Sequence, residues 1–148
     1  MQRTFGEDVA FLREHVETLV LGSEPGGARL AVVPEWQGRA MTSSAAGEGG
    51  AGFGWLNRAR IASGVPTPHM NVYGGEDRCW LGPEGGPFGL FFRPGAEFTL
   101  AEWQTPAPID SEPWPVVARP NSGADEVVFA KRVEVTNRAG TRFAIGVR

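Results

Sequence analysis

Seventeen of the 52 residues from Gly64 to Pro115 are glycine or proline, and no other feature so narrows what this chain can fold into. Proline lacks an amide hydrogen and glycine pays the largest backbone entropy cost on ordering. Neither a long helix nor an unbroken central strand can run through such a stretch. Regular structure there must be short, with residues 79–81 and 88–92 the expected strands. The longer elements have to come from either side.

On the N-terminal side Phe5, Val9, Leu12, Val16 and Leu19 recur at intervals of four, three, four and three, the apolar stripe of one helix. The helix is expected over residues 4–16, opened by a capping box in which Thr4 and Glu7 each satisfy a free amide of the first turn. His15 lies off the stripe near the helix end, where a cation suits the dipole. The period then shifts to two. Residues 18–21 and 28–33 read as strands around a turn at 22–27, residues 37–44 as a third strand, and 45–52 as a glycine-rich loop. Residues 53–61 fit either a strand end or a short helical turn. On the C-terminal side Val127, Phe129, Lys131, Val133 and Val135 alternate with their neighbours as one long strand, and residues 137–140 turn it back into Phe143, Ile145 and Val147. The sum is one all-β, mainly antiparallel domain over residues 1–148, with a single N-terminal helix. The last strand runs to Arg148 without a cap, which would leave a sheet edge open. The two expectations are a longer natural protein or a homodimer that covers the edge.

The formal net charge is −3, so no global basic field draws in nucleic acid or an anionic membrane. Thirteen of the fourteen basic residues are arginine, which reads as compositional bias rather than recognition. No apolar run approaches the roughly 20 residues of a membrane span. Glu7, Asp8 and Glu14 stand where a signal peptide would be apolar. A cytoplasmic protein with neither nucleic acid nor membrane as partner is expected. Cys79 is the only cysteine, so no disulfide forms within the chain.

The chemistry is concentrated in two blocks, Asn71-Val72-Tyr73-Gly74-Gly75-Glu76-Asp77-Arg78-Cys79-Trp80-Leu81-Gly82-Pro83-Glu84-Gly85-Gly86 and Trp103-Gln104-Thr105-Pro106-Ala107-Pro108-Ile109-Asp110. Acids, an arginine and aromatic rings held between glycines and prolines suit a sugar-sized polar ligand. His69 is the candidate general acid, against a loop histidine bonded to backbone. Glu84 is the candidate for proton transfer, against a carboxylate that serves its own turn. Arg78 would grip a ligand hydroxyl or carboxylate through its fork of donors, or else pair with Glu84 or Asp110. Trp80 and Trp103 would stack on a pyranose while Tyr73 and Gln104 bond hydroxyls, with core packing as the alternative. Glu76 and Asp110 complete the substrate-binding set. Trp36, Trp55 and Trp114 are assigned to packing, and Cys79 to burial rather than nucleophilic use. Glu76, Asp77, Glu84 and Asp110 carry oxygens that calcium accepts, but no metal-binding spacing accompanies them, so neither metal nor other cofactor is expected. Phosphate loops and a serine-nucleophile elbow are absent from the sequence.

The two blocks, with Ala28-Arg29-Leu30-Ala31-Val32-Val33-Pro34 and Gln37-Gly38-Arg39, resemble a bacterial branch of the galactose mutarotase-like (aldose 1-epimerase-like) β-supersandwich superfamily. The resemblance covers nearly the whole chain. It implies a β-sandwich of which this chain is the N-terminal half, and a carbohydrate ligand. It also implies acid–base interconversion at an anomeric carbon, with His69 or Glu84 moving protons and Arg78 positioning the sugar. The late carboxylate base of those enzymes has no counterpart here, so a non-catalytic sugar-binding module or a truncated structural domain is the competing expectation.

Overall fold

A computed structural model of the chain describes residues 3–22, 24, 26–118 and 125–148. Helix α1, Phe5–Arg13, begins where the capping box places it: the Thr4 hydroxyl accepts from the Glu7 amide at 3.2 Å and the Glu7 carboxylate accepts from the Thr4 amide at 2.8 Å. The helix ends three residues before the expected limit, in a turn closed by the His15 and Val16 amides on the Leu12 carbonyl. Its stripe still works, because Phe5, Val9, Leu12 and Val16 are all buried.

Strands β1 (Leu19–Leu21), β2 (Arg29–Val33) and β3 (Arg39–Ser44) form an antiparallel sheet in that order, with a bulge between Ala31 and Val32. Ser23 and Pro25 of the expected β1–β2 turn lie outside the described residues. Between β2 and β3 the chain makes a 3-10 turn, Pro34–Trp36, and then passes through two left-handed residues, Gln37 (φ 58°) and Gly38 (φ 64°). Against this sheet α1 packs its stripe, and Ala31, Val33, Met41, Trp36 and Ile61 complete the first core. Ile61 comes from a second helix, α2 (Arg58–Ser63), so of the stretch 53–61 that periodicity left open only 58–61 is helical.

The glycine- and proline-rich stretch corrects two sequence expectations. Residues 79–81 are irregular and 88–92 bends and a turn rather than strands, and only a 3-10 turn, Ala107–Ile109, is regular there. Their apolar side chains nevertheless build a second core of Phe91, Phe92, Ile109 and Trp114 with Val133 and Val135. The apolar run over 88–92 was a burial signal rather than a strand signal. The expected long strand is also broken at Ala130, whose amide turns to the Pro115 carbonyl. The result is β5 (Val128–Phe129), paired with β4 (Val116–Ala118), and β6 (Lys131–Thr136), paired with β7 (Arg142–Val147). Alternation along β6 holds, with Val133 and Val135 buried between exposed Arg132, Glu134 and Thr136.

The two cores meet along one seam. The Trp114 amide donates to the Pro34 carbonyl at 2.9 Å, and the Gln37 side-chain amide donates to the Cys79 carbonyl at 3.1 Å. Trp36 and Trp114 are buried as expected, whereas Trp55 is 61% exposed and corrects its assignment to packing. The structure is all-β and mainly antiparallel, with α2 added to the single expected helix.

Candidate functional site

The first glycine pair fixes where the first block sits. Gly74 and Gly75 both have positive φ, and a Cβ on Gly74 would lie 2.1 Å from the Trp55 carbonyl. Only glycine lets the segment lie this close against residues 55–56 and β3. From there the Glu76 amide donates to the Ala40 carbonyl at 2.8 Å, and Ala40 bridges Asp77. Glu76 is consequently spent on β3: its carboxylate accepts from the Ser43 amide at 2.6 Å and the Ser43 hydroxyl at 2.8 Å. The structure thus sets Glu76 apart from the other candidates.

Asp110 caps the 3-10 turn Ala107–Ile109 and is 2% exposed. Its carboxylate accepts from the Asn71 amide at 2.9 and 3.1 Å and from the Asn71 side chain at 2.8 Å. Arg78 stands 3.6 Å away, which realises the ion-pair alternative with Asp110. The Arg78 guanidinium also lies over the Trp80 ring at 3.9 Å, and the Trp80 indole N–H donates to Glu84 at 2.9 Å. Trp80 and Trp103 both pack against Phe91, at 5.0 and 5.3 Å between ring centres. Both tryptophans therefore serve the second core, and Trp80 already carries a cation on its ring. His69 joins through its Nδ1, which meets the Trp103 carbonyl, while its own carbonyl accepts from the Thr105 amide at 2.8 Å. Gln104 is exposed, and its side chain reaches back to the carbonyls of Thr105 and His69.

Seven of the nine candidates, His69, Arg78, Trp80, Glu84, Trp103, Gln104 and Asp110, are thus linked in one chain of contacts. Tyr73 lies beside it, stacked on Trp36 at 4.1 Å and 6°. The residue that sequence reading missed is Arg39. It is 3% exposed, donates to the carbonyls of Gly74 and Asp110 and to the Gln37 side chain, and leaves its Nε without a partner among the described residues. Burial first, and then the neighbouring Arg78, push its pKa down to about 10, against the pull of Asp110. The signal was available: strand alternation puts Arg39 on the same face as buried Met41. A charge on a buried face needs partners, and Gln37 and the Asp110 loop are those partners.

Burial also holds Arg78 below the ordinary arginine value, with Asp110 and Glu84 opposing. It raises the Cys79 thiol, helped by Asp77, which keeps that sulfur in its less nucleophilic form. Among the described residues no three His, Cys, Asp or Glu side chains gather to hold a metal ion. No described helix is long and apolar enough to cross a membrane.

A family model described as a family of unknown function, DUF6786, matches residues 3–148, and the chain belongs to that family. No curated protein and no solved structure matches it.

Proposed function

We propose that this DUF6786 member handles carbohydrate at the surface formed by His69, Arg78, Glu84 and Gln104, by acid–base interconversion at an anomeric carbon. The observation that carries the reading is the tautomer of His69. A carbonyl can only accept, so Nδ1 must hold a proton against Trp103. In the neutral ring Nε2 is then the free acceptor, and in the charged ring it is the free donor. A histidine fixed in this way is ready to give a proton to a ring oxygen and to take it back.

Glu84 has the complementary state. It is exposed and anchored through one oxygen to the Trp80 indole, which leaves its other oxygen free to accept a proton. As Glu84 removes the proton of the anomeric hydroxyl, His69 protonates the ring oxygen and the bond between the anomeric carbon and that oxygen breaks. The open aldehyde turns and recloses with the transfers reversed, so no oxidant or cofactor is consumed. Arg78 and Gln104 orient the sugar. The supersandwich architecture, with sheets packed face to face, belongs to the same proposal.

The test is anomer exchange followed by NMR on freshly dissolved hexoses with the purified chain. Exchange faster than in buffer, abolished in His69→Gln while calorimetric binding persists, is the expected result. Binding without acceleration would leave a sugar-binding module in place of the catalyst. Absence of both binding and exchange across a panel of hexoses would end the carbohydrate reading.

A further inference from the structure

Three guanidinium groups, those of Arg39, Arg60 and Arg78, surround a region with one buried carboxylate, Asp110. Arg39 and Arg60 lie 5.5 and 5.7 Å from the centre of the Tyr73 ring, and Arg78 lies 3.6 Å from Asp110. Arg60 is committed to the Asn71 side-chain oxygen at 2.7 Å, and Arg39 to two carbonyls and Gln37. The Asp110 oxygens are already occupied by Asn71.

Arg78 is the one that commits fewest of its donors, one of them to a sulfur. Its guanidinium has Asp110 at 3.6 Å, the Met70 sulfur at 3.4 Å and the Trp80 ring, but among the described residues no oxygen at hydrogen-bonding distance. A fifth of its side chain, 21%, stays open to solvent. Asp110 and Glu84 are the carboxylates whose charge acts on Arg78, and among the described residues neither accepts a hydrogen bond from its guanidinium. Burial weakens both Arg39 and Arg78 as cations, which marks a place poorly supplied with solvent or counter-charge.

We propose that the missing oxygen partner is the carboxylate of an acidic monosaccharide, a hexuronate, held by the fork of Arg78. The proposal rests on the carbohydrate reading above and narrows it to a substrate class. A carboxylate matches the guanidinium in shape and accepts two parallel N–H bonds, which a neutral hydroxyl cannot do. It would also relieve the repulsion between Arg78 and Arg39 without disturbing the Asp110–Asn71 contacts.

The experiment is calorimetric titration of the full chain with a neutral hexose, the corresponding hexuronate, and tartrate as a carboxylate that is not a sugar. The hexuronate is expected to bind roughly tenfold or more tighter than the hexose, as a charge-assisted hydrogen bond allows. The advantage should shrink as salt is raised. Arg78→Ala should abolish it. Because that change also strips Trp80 and Asp110 of a neighbour, Arg78→Lys is the control: it keeps the charge, loses the fork and should lower hexuronate affinity by a larger factor than hexose affinity. Equal binding of hexose and hexuronate would overturn the acidic-sugar proposal and leave the carbohydrate reading standing. Tartrate binding as tightly as hexuronate, with both lost in Arg78→Ala, would overturn both in favour of a general carboxylate site. No binding of any of the three would overturn both.

Discussion

Residues 3–63 and 64–148 are held together by different means. In the first region a helix lays one apolar stripe on a three-stranded sheet, and apart from Val16 the buried apolar side chains of the core belong to helices, strands or the 3-10 turn. In the second, Phe91, Phe92, Ile109 and Trp114 are buried from loops and turns, against a two-stranded ribbon. Loop backbone has no ladder to close it, so side chains must supply the partners. Asp110 does so for Asn71, the Gln37 amide does so for the Cys79 carbonyl, and the Asn137 side chain does so for the Thr141 amide across the last hairpin. The lesson is that a chain poor in regular structure relocates its specificity into a few buried polar groups.

The comparison breaks first at Asp110. Asp110→Ala removes the counter-charge of Arg78 and leaves the Asn71 amides unpaired, and an uncompensated buried charge of this kind costs about 3–5 kcal/mol. Leu12→Ala, in the other region, opens a cavity under α1 and costs about 2–5 kcal/mol. Denaturant unfolding of both variants reads the two values. If Asp110→Ala costs less than about 1 kcal/mol, loops in the second region are held by apolar packing alone, and the two regions are alike after all.

How much of this was legible follows the same division. The helix, its Thr4–Glu7 box and the three strands β1–β3 were visible because periodicity and capping are local properties. The β6–β7 hairpin was visible for the same reason. Val133 and Val135 of the second core were legible as strand residues, but 88–92 reads falsely as a strand, because a short apolar run reports burial and says nothing of backbone shape. The two sequence blocks were marked as the chemical centre, and six of their members, with His69, are joined in one series of contacts that runs through Phe91. Glu76 was placed with them by its neighbours in sequence, and Gly74-Gly75 instead directs it onto Ser43. Strand alternation with Met41 marked the face of Arg39, but nothing local in Gln37-Gly38-Arg39 announces that the Asp110 loop supplies its partner.

A smaller effect tests the first region where side chain and backbone do cooperate. Thr4→Ala removes half of the capping box and should cost about 1 kcal/mol. The Glu7 carboxyl is held below its ordinary value of 4.5, first of all by its backbone hydrogen bond at Thr4. Its contribution is therefore complete above 4.5 and is lost as pH falls through the lowered value. Acid titration of thermal stability should show this loss in the wild-type chain and a reduced one in Thr4→Ala. An identical acid profile in the two would mean that the box contributes nothing beyond the helix itself.

The smallest effect bears on the seam between the regions. Tyr73 is the only tyrosine, so phenolate absorbance against pH reports this residue alone. It stacks on Trp36 of the first core and lies close to Asp110 of the second. Burial raises its pKa above 10 and Asp110 adds to this, while Arg60 and Arg39 pull the other way. Its neutral form is favoured in the fold, so the stability it contributes is present below 10 and lost as pH rises through the raised value. Arg39 works in the opposite sense: with its pKa pushed down to about 10, the cost of burying its charge is relieved as pH rises from there toward the ordinary arginine value. The two offset each other in any melting experiment, and the optical titration separates them. A midpoint above 10, moving down in Asp110→Asn, is the expected result. A midpoint at or below 10 would mean that water reaches the Trp36–Tyr73 stack, and that the two regions are packed side by side without sharing a closed interior.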